Sequence, residues 1–197
     1  MRAFFLSGRL VFTMKIFKFV VCIFIFFFTS CTNFEGLRQE DDISNHIIKV
    51  VSKRLNEKYG FKLASIGGGA DQEGVWNLDG GYSLNGAKIL DIKVARELIL
   101  NCMQEFLYEA NNNEEFRPFM KVYPFTPKNI TIVIFNHDEE GRRVHFPYIS
   151  VVSISRGTID YRWLGPTIMD PYAQEVSETY EEALKLSGRI EPNSEAE

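Results

Sequence analysis

Three stretches of the chain carry residue types that could do chemistry. The first is GGGADQEGVWNLDGG, residues 67–81. It lies in the segment 67–86, which holds seven of the chain's 14 glycines. A phosphate-cradling loop requires G-x-x-x-x-G-K-[ST], and a dinucleotide fingerprint requires G-x-G-x-x-G between a strand and a helix. Neither spacing occurs here, and no Lys-Ser or Lys-Thr follows the glycines. The second is HDEEGRR, residues 137–143, which sets His137 beside three carboxylates, the donor types for a hard or borderline cation. No second histidine stands at ligand spacing, and polar residues with a glycine between two strand patterns are what a turn needs. The third is Cys102, a potential thiol nucleophile if a base lies near it. It falls on a helical apolar stripe, where cysteine serves as a small hydrophobe. His46 and His145 are tied by sequence to no nucleophile, and no serine sits in G-x-S-x-G. The sequence therefore predicts no catalytic residue, no metal site and no cofactor. Trp76 and Tyr82 are the candidate binding residues. They flank Asp79-Gly80-Gly81, and aromatics on such a loop offer large contact area at small entropic cost. Packing within a sheet is the competing reading for both rings.

The elements that must position these residues follow from periodicity. Ile43, Ile47, Val51 and Leu55 recur every fourth residue before Gly60, which predicts an amphipathic helix over 43–59. Phe61, Leu63 and Ser65 alternate with polar or small neighbours, a short strand. Residues 67–74 read as a loop. Trp76 and Leu78, then Tyr82 and Leu84, alternate on either side of Asp-Gly-Gly, which predicts a hairpin turning at 79–81. Asp91 caps a helix to about Ala110, ended by Asn111-Asn112-Asn113. Pro118, Pro124 and Pro127 make the next segment an extended crossing. Residues 130–136 are apolar on both faces, which predicts a central strand. His145–Ser155 is a long strand antiparallel to it, Arg156-Gly157 a turn, and 159–163 a strand with one wet face. Asp170-Pro171 reads as the cap and first turn of a final helix to about Leu186. Strands in runs rather than singly alternating with helices give an α+β class: an antiparallel sheet of four to five strands packed against two or three helices. The single globular domain spans 43–188, and 189–197 is a polar tail expected to be disordered.

The N-terminus carries an address. Lys15 and Lys18 precede an unbroken apolar run from Phe19 to Phe28, and no acid occurs before Glu35. A basic n-region and a short apolar h-region ending in small residues make a secretory signal peptide over 1–30, with Met14 an alternative start. The run is about half of the roughly 20 residues that span a bilayer. Phe28-Thr29-Ser30-Cys31 resembles the lipobox of bacterial lipoproteins. That resemblance covers only the leader. It implies diacylglycerol on the Cys31 thiol, cleavage before Cys31 and acylation, commonly palmitate, of the new amino group. Phe28 stands where that class usually has leucine. Thr32, not aspartate, follows the cysteine, which by the same resemblance favours the outer membrane where the cell has two. Residues 31–42 then form the lipidated cysteine and a flexible tether.

Charge narrows the partners. The first 31 residues hold four of the 22 basic residues and none of the 26 acidic ones, so the remainder carries a net charge of −8. An acidic chain argues against nucleic acid and against a polybasic grip on lipid head groups. Cys102 is left without an intramolecular partner once Cys22 is removed and Cys31 lipidated, so no disulfide framework is available. The expected function is a membrane-anchored lipoprotein of the cell envelope with a non-catalytic binding or assembly role. Its partner is an envelope protein or polymer. The alternative is a tethered enzyme, a hydrolase in kind, whose site assembles only in the fold. A deep pocket with histidine or cysteine beside a carboxylate would favour the enzyme. A filled core with a shallow aromatic groove would favour binding.

Overall fold

The apolar stripe at 43–55 produces the first helix. The computed structural model describes residues 40–86, 90–165 and 174–190, which fall, apart from Glu40, in one compact unit. Helix α1 covers residues 40–59, and Ile47, Ile48, Val51 and Leu55 on its inner face are fully buried. Gly60 stops it in the left-handed region at φ +74, and its N–H closes the last turn on the Asn56 carbonyl at 2.8 Å. Helix α2 runs Ile92–Asn112, with Asp91 as N-cap accepting from the Val94 N–H at 2.7 Å. Ala95, Ile99, Cys102, Met103 and Phe106 form its buried stripe.

The fold is α+β, as the sequence predicts, and the sheet is larger than expected. Strands β1 (Lys62–Ala70), β2 (Trp76–Asn85), β3 (Ile130–His137), β4 (Val151–Ser155), β5 (Thr158–Trp163) and β6 (Gln174–Thr179) lie in chain order across one six-stranded sheet. Every neighbouring pair is antiparallel except β2 with β3. A parallel pair cannot be joined by a tight turn, and α2 with the proline-containing segment after it supplies the crossover. Helix α3 (Tyr180–Leu186) closes the described chain and buries Tyr180 and Ala183.

Alternation divides the sheet into two faces. Leu78, Tyr82, Ile132, Ile134, Val152, Ile154, Ile159 and Tyr161 join residues of all three helices in one core. Their neighbours Asp79, Gly81, Ser83, Thr131, Val133 and Phe135 point the other way, and none of them belongs to that core.

Three expectations are corrected. The hairpin turn is not at 79–81. Trp76–Asn85 is one continuous strand, and residues 67–70, read as loop, belong to the strand before it. The turn between them is at 71–75, where the Asp71 carboxylate accepts from the N–H groups of Glu73 and Val75, both at 2.9 Å, and Gly74 takes φ +77. The strand predicted at His145–Ser155 begins only at Val151. Pro147 donates no N–H, and a turn closes around it by Tyr148 N–H to the His145 carbonyl at 3.0 Å. The final helix is short. The expected cap at Asp170-Pro171 lies outside the described residues, and Gln174–Thr179, placed within that helix, is an edge strand on β5. Thr179 then caps α3 reciprocally with Glu182.

Edge strand β6 is held to α2 by more than its ladder. Arg96 clamps the Glu178 carboxylate through two bonds of 2.7 and 2.9 Å, and the Tyr161 hydroxyl donates to the same carboxylate. The side chains of Arg96 and Glu178 are only 14% and 10% exposed. Hydrogen bonding to Glu178 raises the Arg96 pKa further, while burial followed by this carboxylate raises that of Tyr161. At the chain's far end Arg189, placed in the predicted tail, pairs with Glu97 at 2.5 Å and Asn101 at 2.7 Å.

Candidate functional site on the open face of the sheet

The residues singled out as candidates are distributed over the molecule and do not converge. Trp76 and Tyr82, the expected binding pair, are both in the core. Trp76 is 4% exposed and stacks edge-on to Phe116, with ring centroids 6.0 Å apart. Tyr82 is fully buried, edge-on to Phe106, with its hydroxyl 3.1 Å from Ser52 Oγ. Burial pushes its phenol pKa well above the usual value. Neither ring presents surface to a partner, because both occupy the helix-facing parity of β2. Cys102 is buried, and burial pushes its thiol pKa up. A thiol of that kind is inert. Cys31, the residue expected to be lipidated, lies outside the described residues.

Residues 137–143 do form a turn. Arg142 closes it on Asp138, through its guanidinium to Oδ2 and its N–H to Oδ1, both at 2.8 Å. Burial opposes, and these bonds then outweigh it, so the Asp138 pKa is lowered. Among the described residues no group of three or more histidine, cysteine or carboxylate side chains is placed to hold a metal ion, and no helix is long and apolar enough to cross a membrane. His145 Nδ1 lies 2.8 Å from the Gly165 carbonyl, and His46 is on the exposed side of α1.

Beside a depression of about 440 Å³ at Lys128, Arg156 and Glu181, the described residues form two others. The larger, about 660 Å³, lies between α1 and α2 and is lined by Arg54, Lys58, Asn101, Gln104, Glu105 and Tyr108. Its cations are already spent. Arg54 bonds Glu109 at 2.6 Å and lies 3.6 Å from Glu105, which Lys58 also pairs with. The groove is a self-neutralised polar surface.

The second is a shallow depression of about 170 Å³ on the open face, where β1, β2 and β3 meet. Ser65, Gly67, Asp79, Gly81, Thr131, Val133 and Phe135 line it. Its shape comes from missing side chains. Gly67 is opposite Asp79 and Gly81 is opposite Ser65 in the register, so two of the four positions at its centre carry no Cβ. A Cβ on Gly81 would stand 2.1 Å from Ser65 Oγ. Val133 and Phe135 are half-buried and form its apolar floor and wall. The Asp79 carboxylate leans over Gly67, with Oδ2 3.5 Å from where a Cβ would sit. The Asp79 carboxylate makes no hydrogen bond or ion pair to any described residue. Farther along the same face, Ser83 Oγ lies 2.8 Å from His137 Nδ1 and 2.9 Å from Asn85 Oδ1, while the Arg143 guanidinium sits 6.0 Å from the Phe135 ring centroid.

A site of this volume is below the roughly 300–1,000 Å³ of small-molecule pockets. Its volume is that of a single side chain, and one carboxylate and one aromatic ring line it. Sequence reasoning missed it for a definite reason. The apolar second face of 130–136 was legible, but whether an element covers that face is a tertiary fact. The chain matches no protein-family model, no curated protein and no solved structure.

Proposed function

We propose that the protein is a lipid-anchored lipoprotein of the bacterial cell envelope whose folded unit works by binding a partner rather than by catalysis. The anchoring part of this reading rests on sequence: the lysines before the apolar run, the small residues Thr29 and Ser30, and Cys31 as the acylated residue. Two or three acyl chains hold a protein stably where a single chain is marginal. Thr32 supports the outer membrane where there is one.

The binding part is carried by one observation, the half-apolar depression at Asp79, Val133 and Phe135 on the sheet face opposite the helical core. Apolar surface next to an unpaired charge, rimmed by polar groups, is the composition of a contact surface. The competing reading, a tethered hydrolase, has the Ser83–His137 contact in its favour. A working nucleophile also needs its base oriented by a third group and donors for the developing oxyanion. Among the described residues no carboxylate bonds His137, and Asp138 beside it is held by Arg142. The shallow groove therefore favours binding.

Two measurements test this. Cells fed a clickable palmitate should label the wild-type protein and not Cys31→Ala; equal labelling of both sinks the anchor. A photo-crosslinking amino acid at position 135 should give envelope adducts that the same group at Val94, exposed on α2, does not give. Adducts at neither position, or equally at both, count against the groove.

A further inference from the structure

We infer that the outer edge of β1 accepts an extended segment of a basic partner protein, whose lysine or arginine reaches across Gly67 to Asp79. This deepens the binding role proposed above and rests on it. Strand β1 is a terminal strand of the sheet and is paired on one side only among the described residues. Half of its backbone N–H and C=O groups therefore point away from β2, a ready template for another strand. Natural edges are usually blunted by prolines, charged side chains or bulges. Along residues 65–70 β1 has none of the three; it reads Ser-Ile-Gly-Gly-Gly-Ala. Its devices, Lys62 and a register irregularity between Leu63 and Ser65, are at the other end.

The glycines are not there only to leave room. Gly68 takes φ +146, and a Cβ on it would meet the Asn77 carbonyl oxygen at 2.6 Å, so its backbone demands glycine. Gly67 carries no such backbone demand. Its consequence is a gap in the row of side chains between the edge and Asp79.

The geometry selects the partner's chemistry. Neighbouring strands lie about 4.8 Å apart, so a residue added opposite Gly67 has its Cα about 10 Å from that of Asp79. Only a long side chain bridges that distance, and only if nothing stands on the residue between. The carboxylate it meets is unpaired and leans toward the edge over Gly67. The aliphatic stem crosses the gap at Gly67, while Val133 and Phe135 lie beyond Asp79 on β3. The net charge of −8 beyond residue 31 adds attraction for a basic chain and repels a second copy of this one.

The test uses the lipidated protein in phosphatidylcholine nanodiscs, whose zwitterionic lipid does not itself attract a cation. The probes are two fluorescent, end-blocked heptapeptides alternating threonine with lysine or threonine with glutamate, and a third lysine peptide broken by a central proline. The alternating lysine peptide should bind, and its binding should slow amide hydrogen exchange along residues 65–70. The glutamate and proline peptides should not bind. Asp79→Asn should weaken the lysine peptide about fivefold at low salt, and Gly67→Val should abolish binding, both with melting temperatures near wild type. Equal affinity for lysine and glutamate peptides, undiminished binding to Asp79→Asn, or unchanged exchange in β1 overturns the inference. Should these fail while the position-135 crosslink persists, the groove still binds but not a basic strand. Loss of both removes the binding role itself.

Discussion

Gly80→Ala should destabilise the protein although it adds a single methyl group. A Cβ built on Gly80 stands 2.9 Å from Phe106 Cζ and 2.9 Å from Tyr82 Cε2, both closer than real Cβ contacts come. Neither ring can retreat cheaply. Phe106 and Tyr82 are fully buried, and the Tyr82 hydroxyl is held at Ser52. Overpacking of this kind costs about 1–3 kcal/mol. Lost unfolded-state entropy returns roughly 0.4–1 kcal/mol, because Gly80 has no positive φ to be strained. The net is ~1–2 kcal/mol, or a melting temperature lower by roughly 2–8 °C for a unit of this size. Thermal and urea denaturation followed by circular dichroism measure it. A turn at 79–81 would also suffer from alanine, so the deciding experiment is a double-mutant cycle with Phe106→Leu. Removing the ring tip relieves the clash only if Gly80 faces it in a strand. Strict additivity of the two substitutions, or a neutral Gly80→Ala, refutes the packing described for β2.

Trp76→Ser and Tyr82→Ser should each cost about 3–5 kcal/mol, as core aromatics do; unchanged urea midpoints would return these rings to the surface. Glu178→Ala should cost ~3 kcal/mol by leaving Arg96 desolvated without its carboxylate, whereas Arg96→Met with Glu178→Met should recover most of that; equal loss in the double variant argues against a coupled pair. Stability should fall in alkali. The raised pKa values of Tyr82, Tyr161 and Cys102 mean that the folded state keeps protons the unfolded chain releases. Their contribution is complete below the unfolded values and disappears above them, from about pH 8.5 for the thiol and 10 for the phenols, at up to ~1.4 kcal/mol per pH unit for each group. A flat stability profile from pH 8 to 11 would contradict their burial.

The sequence determined the local elements wherever one signal dominated. The four-residue stripe of 43–55 and Gly60 specify α1, Asp91 specifies the start of α2, and Arg156-Gly157, with φ +51 and +81, specifies the β4–β5 turn. Each of these is settled by neighbours in the chain, through periodicity, capping and backbone freedom. The leader and Cys31 are likewise read from composition and order alone. What the sequence could not decide is whether Asp79-Gly80-Gly81 is a turn or a place where two faces forbid side chains. In the fold Phe106 occupies the space on one side of Gly80 and Ser65 the space beside Gly81. Those neighbours come from distant strands and helices, and only packing supplies them. The same holds for the site. Val133 and Phe135 look like core residues by type, and they are half-exposed because all three helices pack on the opposite face. Asp79 becomes an unpaired carboxylate over a gap only when β1 places Gly67 opposite it, a pairing fixed by tertiary register and not by any local pattern.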